Sequence, residues 1–154
     1  LKIEPYIFLK MKFLNSKEKK ELLKNINDYF QSSFETEDKI FITNQDKIYL
    51  VSKAIENIDI DKIKIRNIGL YFGQIMQGTI RLSVEGSQLV GKTAKKNILE
   101  ADKELLEKLK EEKFEISCND GYYLVKFRDH FLGCIYVKNN QAYNYIPKAR
   151  RNWN

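Results

Sequence analysis

The stretch that decides the fold runs from residue 69 to residue 91 and reads GLYFGQIMQGTIRLSVEGSQLVG. Two β-rich runs in it are joined at Gln77-Gly78, where glycine suits the turn of a β-hairpin. Ser83 is then well placed to cap a short helix that ends at Gly91. We therefore predict the order strand, turn, strand, helix.

The end of this stretch also matches a nucleotide-binding motif. Residues 86–93, GSQLVGKT, satisfy the G-x-x-x-x-G-K-[ST] pattern of a P-loop at every fixed position, with Lys92 as its lysine. A P-loop joins a buried parallel strand to a helix, whereas the residues that follow predict one helix and then consecutive hairpins. Leu89 and Val90 are also bulky where a phosphate needs close backbone approach. Nucleotide binding at residues 86–93 is therefore the less favoured alternative.

The residues before this stretch predict a small α/β unit. A short strand within residues 1–14 leads to Asn15, which begins a capping box, and helical spacing of apolar residues predicts an amphipathic helix over residues 16–32. Two short strands with a turn at residues 44–46 follow, and then a short helix near residues 52–57. This half of the chain thus combines a small sheet with a covering helix.

The residues after it predict one helix and a set of strands. Leucines on one face indicate a helix over residues 100–112. From Phe114 onward the pattern is typical of strands, and an Asp-Gly turn at residues 120–121 and an Asn-Asn turn at residues 139–140 divide it. We predict a three-stranded antiparallel meander there.

Composition limits the possible functions. Among 154 residues, lysine and arginine exceed the acids by six, which favours partners rich in phosphate. No apolar run approaches the roughly 20 residues that span a bilayer, so we expect a cytoplasmic protein without a membrane partner. Cys118 and Cys134 lack metal-ligand spacing and are expected to be reduced structural thiols. We expect neither a metal nor another cofactor.

No catalytic constellation is evident in the sequence. The single histidine, His130, follows Asp129 directly, and adjacent residues of a strand point to opposite faces. We therefore expect a protein that is not an enzyme.

Two blocks of the sequence resemble a known RNA-binding module. Residues 69–91 and the stretch FLGCIYVKNNQAYNYIPKARR, residues 131–151, are similar to the pre-PUA plus PUA module. This module occurs in the Nip-seven family of ribosome-biogenesis proteins and C-terminal to the catalytic domain of RNA cytosine-5 methyltransferases. In those methyltransferases an L-G-x-G strand leads to a K-N-x-x-P-K-x-x-R ending. The matching residues are Leu132, Gly133, Asn144, Pro147, Lys148 and either Arg150 or Arg151.

The resemblance implies an α+β fold in two parts. Residues 1–92 would form a small α/β pre-PUA domain, and residues 93–154 would form a PUA-like β-barrel. The sequence has no glycine-rich loop after an early strand for S-adenosylmethionine, and neither cysteine follows a proline or threonine as a catalytic one would. We therefore expect a free-standing RNA-binding module that lacks the catalytic domain.

The predicted RNA-binding residues lie near the end of the chain. No acidic residue occurs from His130 to Asn154, and one-sided positive charge is typical of phosphate contact. Strand alternation also places Tyr122 on one face with two cations as a stacking and phosphate-binding surface. Two further residues are predicted to contact a sugar or an unstacked base. The full set is Lys126, Arg128, Lys138, Asn144, Tyr145, Lys148, Arg150 and Arg151.

The partner predicted from these residues is structured RNA, either ribosomal RNA or tRNA. The resemblance places the protein in ribosome biogenesis or RNA modification, with an RNA methyltransferase or ribosome-assembly proteins as possible further partners. The main alternative is a protein adaptor that docks a separate RNA methyltransferase. In that case, an exposed apolar patch on the first domain should matter more than the C-terminal residues.

Overall fold

The computed structural model describes residues 11–57 and 69–153, and its fold is α+β as predicted. The first of two sheets has five strands in the order β1-β2-β3-β4-β5, and every neighbouring pair is antiparallel. Its strands are β1 (Met11–Phe13), β2 (Lys39–Asn44), β3 (Lys47–Ser52), β4 (Leu70–Met76) and β5 (Thr79–Leu82).

Both hairpins predicted for this sheet are confirmed. β2 and β3 join at residues 45–46, and β4 and β5 join at Gln77-Gly78, where Gly78 has a φ of 71°. The short helix predicted near residues 52–57 is a 3-10 turn, Lys53–Asn57. The strand predicted within residues 1–14 is present as β1, and residues 1–10 lie outside the described residues.

Helix α1 (Ser16–Phe30) covers one face of the first sheet. The Asn15 side chain accepts a hydrogen bond from the Glu18 backbone N–H, and the Glu18 side chain accepts one from the Asn15 N–H, as the capping box requires. Ile26 and Phe30 are fully buried. The predicted helix is therefore confirmed, with its end at Phe30.

Helix α2 (Val84–Gly91) lies between the two sheets. Its N-cap is Ser83, as predicted, and the Ser83 hydroxyl accepts a hydrogen bond from the Gly86 N–H at 2.9 Å. It packs on β4 and on the second sheet. A Cβ atom at Gly86 would lie 2.2 Å from the Phe72 carbonyl oxygen. Residues 86–91 are thus helical and packed, so they do not form the loop that would wrap a phosphate.

The second sheet has five strands in the order β6-β8-β9-β10-β7. The pair β6–β8 is parallel and the other pairs are antiparallel. Its strands are β6 (Ile98–Glu100), β7 (Lys113–Glu115), β8 (Gly121–Phe127), β9 (His130–Lys138) and β10 (Gln141–Asn144).

The predicted meander is wrong in its connections. The Asp-Gly dipeptide at residues 120–121 does not turn β7 onto β8, because β7 pairs with β10 instead. The tight hairpin turn between β8 and β9 falls at Arg128-Asp129, and Arg128 adopts a φ of 56°. Arginine is not a residue that signals a left-handed turn, so the sequence pattern did not reveal this one. The Asn-Asn turn at residues 139–140 is confirmed.

The helix predicted over residues 100–112 is shorter than expected. Helix α3 (Lys103–Lys108) begins after Asp102, whose side chain accepts a hydrogen bond from the Leu105 N–H. Residues 98–100 form β6 because they pair with residues 124–126 of β8. A pairing partner distant in sequence therefore determines the structure of this segment.

The sequence predicted a PUA-like β-barrel here, and the second sheet does not close into one among the described residues. Within residues 11–57 and 69–153, β6 and β7 form the two edges of the sheet and no pairing joins them. The boundary predicted after residue 92 falls between the last strand of the first sheet and the first strand of the second. One hydrophobic cluster nevertheless contains Phe30 and Phe72 together with Leu124 and Cys134. The division into two domains stays a prediction.

The end of the chain is anchored by a buried polar network. The Asn144 side chain donates to the carbonyl oxygens of Leu109 and Glu111, at 2.6 and 3.1 Å. The Arg151 guanidinium donates to the Ile146 carbonyl at 2.7 Å and to the Glu112 carboxylate at 3.0 Å. Both Asn144 and Arg151 are less than a tenth exposed. Their hydrogen bonds hold the C-terminal segment against the end of α3.

Both cysteines are free. Burial raises the pKa of the Cys134 thiol to about 12, so this thiol stays protonated.

Across residues 11–57 and 69–153, every helix is too short or too polar to cross a lipid bilayer.

Replacing Gly86 with alanine should destabilise the protein. The added Cβ would collide with the Phe72 backbone carbonyl, and such overpacking costs about 1–3 kcal/mol. Urea unfolding followed by circular dichroism would measure the change. The control is Gln88→Ala at an exposed position of the same helix, which should stay within about 0.5 kcal/mol of the parent. Equal stability of the two variants would contradict the close packing of α2.

Replacing Arg151 with alanine should also destabilise the protein. It would leave the buried carbonyl oxygens of Ile146 and Asn144 without this donor, at a cost of about 1–3 kcal/mol. The exposed neighbour Lys148, replaced by alanine, should change the free energy of unfolding by less than about 0.5 kcal/mol. A small effect of Arg151→Ala in the same urea titrations would show that the network does not anchor the chain.

Candidate nucleic-acid interface

The pairing of the second sheet aligns three tyrosines and a lysine in one row. Tyr122 of β8 lies opposite Tyr136 of β9, Tyr136 lies opposite Tyr143 of β10, and Tyr143 lies opposite Lys113 of β7. Residues directly opposite each other on neighbouring strands project from the same face of a sheet. The row therefore crosses four strands on a single face.

The side chains of this row contact one another. The ring centroids of Tyr122 and Tyr136 are 4.7 Å apart, and those of Tyr136 and Tyr143 are 6.3 Å apart. The Lys113 ammonium lies 5.3 Å from the centre of the Tyr143 ring, within the range of a cation–π interaction. Tyr122 is buried, whereas Tyr136 and Tyr143 are partly exposed. The end of the row formed by Tyr136 and Tyr143 therefore presents aromatic surface to solvent.

Tyr145 extends this surface beyond the end of β10. It follows Tyr143 by two residues and is 41% exposed, although tyrosine is a large apolar side chain. The guanidinium of Arg81, from β5, lies 4.0 Å from the centre of the Tyr145 ring. The same guanidinium donates to the Gln74 side chain at 2.7 Å, which fixes its position. We call Tyr122, Tyr136, Tyr143 and Tyr145 together the tyrosine face.

A groove of about 500 Å³ separates part of the tyrosine face from the first sheet and α1. Tyr29 of α1 stands at one wall, and its hydroxyl both accepts from the Tyr122 N–H and donates to the Tyr122 carbonyl, at 2.8 and 3.1 Å. We call this space the tyrosine groove. Its lining consists of Tyr29, Met76, Gln77, Thr79, Asp120, Gly121, Tyr122, Tyr136 and Tyr145.

Positive charge accompanies the tyrosine face. Lys138 follows Tyr136 by two residues in β9, so it projects from the same face of the sheet, and it is exposed. Lys113 is exposed beside Tyr143, and Arg81 covers Tyr145. Aromatic rings interleaved with cations can stack on bases while they neutralise phosphates.

The predicted residues Lys126 and Arg128 lie away from the tyrosine face, at the opposite end of β8 from Tyr122. The Lys126 ammonium is 3.7 Å from the Glu100 carboxylate, and Arg128 lies in the turn with its guanidinium 5.1 Å from the centre of the Phe127 ring. The prediction of one exposed stacking surface for Tyr122, Lys126 and Arg128 is wrong. Tyr122 is only 7% exposed, because the first sheet and α1 pack over its end of β8.

Lys126 lines a second groove, of about 370 Å³, at the C-terminal end of α2. Lys92, the lysine of the P-loop pattern, lines the same groove. Gln88 and His130 also line it, as does Asp129. The structure thus brings the two lysines to one polar depression, in which an acidic side chain is also present.

The predicted residues of the C-terminal segment fall into two groups. Lys148 and Arg150 are exposed in a 3-10 turn, Lys148–Arg150, and Arg150 donates to both carboxylate oxygens of Glu85 at 2.7 and 2.9 Å. Asn144 and Arg151 are buried, and backbone carbonyls and Glu112 occupy their donor groups. Asn144 and Arg151 thus serve the interior of the fold, and their contact with RNA stays a prediction.

Several residues of the tyrosine face were not in the predicted set. Tyr136 and Tyr143 occur among many aromatic residues in this part of the sequence, and only strand pairing shows that they stand side by side. The alternation of Tyr143 and Tyr145 is visible in the sequence and would have indicated a shared face. Tyr29, which lines the groove, and Arg81, which covers Tyr145, come from the first half of the chain, so no local pattern could connect them with this surface.

A family of known proteins resembles the part of the chain that contains the second sheet. Residues 96–152 match the family model described as the methyltransferase RsmF PUA domain. The matched range contains all five strands of the second sheet, and it also contains the tyrosine face. A comparison with curated proteins found no match. The chain therefore carries a PUA-like module, and this module supplies the tyrosine face.

Proposed function

We propose that this protein is a non-catalytic RNA-binding protein and that the tyrosine face is its principal contact surface. The observation that carries the proposal is the alignment of the partly exposed Tyr136 and Tyr143 beside Lys113 on one face of the PUA-like module. Partly exposed tyrosines give bases a surface to stack on, and the neighbouring cations attract the phosphates.

The contacts divide between positioning and base recognition. Lys113, Lys138 and Lys148 are exposed and would hold phosphates, which orients the RNA without reading its sequence. Tyr145 is exposed and would stack on a base that has left a duplex. Arg150 can contribute to phosphate binding only in competition with Glu85, whose two carboxylate oxygens both accept from the Arg150 Nη1. Lys126 and Arg128 would form a separate phosphate contact at the other end of β8.

The RNA we propose is structured ribosomal RNA or tRNA, in ribosome biogenesis or RNA modification. The match to the PUA domain of a methyltransferase supports this class of partner. A structured RNA supplies both unpaired loop bases for the tyrosines and a dense array of phosphates for the lysines. The cytoplasmic location expected from the sequence stays a prediction.

A role as a protein adaptor is the second candidate, and one observation favours it. β4 exposes three large apolar side chains, Leu70, Tyr71 and Ile75, each between 37% and 43% exposed. Beside Ile75, a groove of about 270 Å³ lies between α1 and the β4–β5 hairpin, with Leu22 and Met76 in its lining. Exposed apolar side chains, one of them beside a groove, favour a protein contact surface on this part of the first sheet. A separate RNA methyltransferase or a ribosome-assembly protein would bind there.

Removing two lysines from the tyrosine face should weaken RNA binding and reduce its salt dependence. In a Lys113→Ala/Lys138→Ala variant, each lost phosphate contact should reduce the magnitude of the slope of log affinity against log salt by roughly 0.7–0.9. Fluorescence anisotropy with a labelled ribosomal RNA fragment, measured across a salt series, would give affinity and slope. A parallel series with ATP and Mg²⁺ would test the nucleotide-binding alternative.

The matched control also removes two positive charges, but from α1 and not from the tyrosine face. Lys17 and Lys20 are exposed near the N-terminal end of α1, whereas Tyr29, near its other end, lines the tyrosine groove. A Lys17→Ala/Lys20→Ala variant should keep most of the salt slope of the parent protein. An equal loss of slope in both variants would indicate non-specific charge attraction, and an unchanged Lys113→Ala/Lys138→Ala variant would contradict the proposed surface.

A further inference from the structure

The tyrosine groove is suited in size to a single base. Its volume of about 500 Å³ lies within the range of roughly 300–1,000 Å³ that is typical of small-ligand sites. Four of its nine lining residues are tyrosines, Tyr29 on α1 and Tyr122, Tyr136 and Tyr145 on the side of the second sheet. A planar ligand can therefore stack on a ring within the groove, as unpaired bases do on aromatic side chains.

The groove is also held in shape before any ligand enters. The Tyr29 hydroxyl is bound at both the N–H and the C=O of Tyr122, so a shift of the helix against the strand would break both hydrogen bonds. The Asn97 side chain donates to the Tyr29 carbonyl at 2.9 Å, which ties the end of α1 to the start of the second sheet. A preformed groove loses less conformational freedom on binding than a flexible one.

One acidic side chain, Asp120, stands in the lining of the groove, together with two uncharged polar residues, Gln77 and Thr79. Asp120 is exposed, and its Oδ1 accepts a hydrogen bond from the Asn139 backbone N–H at 2.9 Å. That bond orients the carboxylate and uses only one of its roughly four lone-pair positions. A carboxylate repels phosphate and accepts hydrogen bonds only, so Asp120 is suited to bind the donor groups of a base.

The donor groups of the four RNA bases differ in a way that a carboxylate can read. Guanine presents two adjacent donors, N1–H and the N2 amino group, on its Watson–Crick edge. Adenine and cytosine place a ring acceptor beside their amino group, and uracil places its single N3–H between two carbonyl oxygens. The two oxygens of one carboxylate therefore complement guanine, and they can reach this edge only when the base is unpaired.

We propose that the tyrosine groove binds one unpaired guanine of the RNA, with the base stacked on the tyrosines and its Watson–Crick edge at Asp120. This proposal rests on the proposed function, because it names the nucleotide that the RNA-binding surface selects. Lys138 immediately precedes Asn139, whose N–H orients Asp120, and it would bind the phosphate next to the guanine.

Binding of short labelled RNAs would test the proposal. The probes are oligouridines that carry one central guanosine, adenosine, cytidine or uridine, and anisotropy gives the dissociation constant of each. The parent protein should bind the guanosine probe about tenfold more tightly than the uridine probe, as a good bidentate contact allows. An Asp120→Asn variant should bind all four probes with nearly equal affinity. The asparagine side chain keeps one oxygen, which can still accept from the Asn139 N–H. Its NH2 group is a donor, however, and would face the donor groups of guanine.

Two further variants separate base reading from general effects. Glu115→Gln removes an exposed carboxylate of β7, outside the groove lining, and should keep the preference for guanosine. Tyr145→Leu removes a stacking surface and should weaken binding of every probe without changing their order. Thermal unfolding of each variant verifies that it is folded.

The outcomes distinguish the two proposals from each other. If the parent protein binds all four probes equally, or if Asp120→Asn keeps the guanosine preference, the guanine site is overturned while RNA binding stands. Binding of the ribosomal RNA fragment without binding of any short probe also overturns the guanine site. Failure to bind either the fragment or the probes at low salt overturns the proposed function itself.

Discussion

The structure depends on the close packing of helix α2 between the two sheets. Gly86 brings the helix against the Phe72 carbonyl of the first sheet, and Gly91 brings it against the Phe131 ring of the second. Any side chain larger than hydrogen would separate these surfaces, since protein interiors have no room for an added methyl group. The two glycines that complete a P-loop pattern in the sequence therefore serve helix packing.

This packing also determines how the two halves of the chain form a binding surface. The backbone N–H groups of Lys95 and Lys96 both donate to the Phe30 carbonyl, and Asn97 binds the carbonyl of Tyr29. The end of α1 is thereby held at the start of the second sheet, where the Tyr29 hydroxyl meets the backbone of Tyr122. A groove lined by residues from both halves results, although the matched PUA domain covers only the second half.

Local sequence signals correctly predicted the elements whose causes are local. The capping box at Asn15, the Ser83 N-cap and the glycine at Gly78 each determine an element end within a few residues. Long-range pairing decided the rest. Strand β6 exists because it pairs with β8, and β7 pairs with β10 from far along the chain. The Arg128 turn gave no sequence signal, because the pairing of β8 with β9 imposes it on an unusual residue.

In the candidate site, too, local sequence patterns predicted some features and contacts between distant residues decided the others. The sequence by itself determined the α+β class, the two hairpins of the first sheet, the positive charge and the abundance of tyrosine near the end of the chain, because these follow from composition and short spacings. Lys138, Tyr145 and Lys148, which the sequence predicted as RNA contacts, are exposed in the structure. Only the tertiary structure decided that Asn144 and Arg151 are buried and that Tyr136 and Tyr143 stand side by side. Burial and strand register depend on contacts between residues far apart in sequence, and a linear pattern does not contain them.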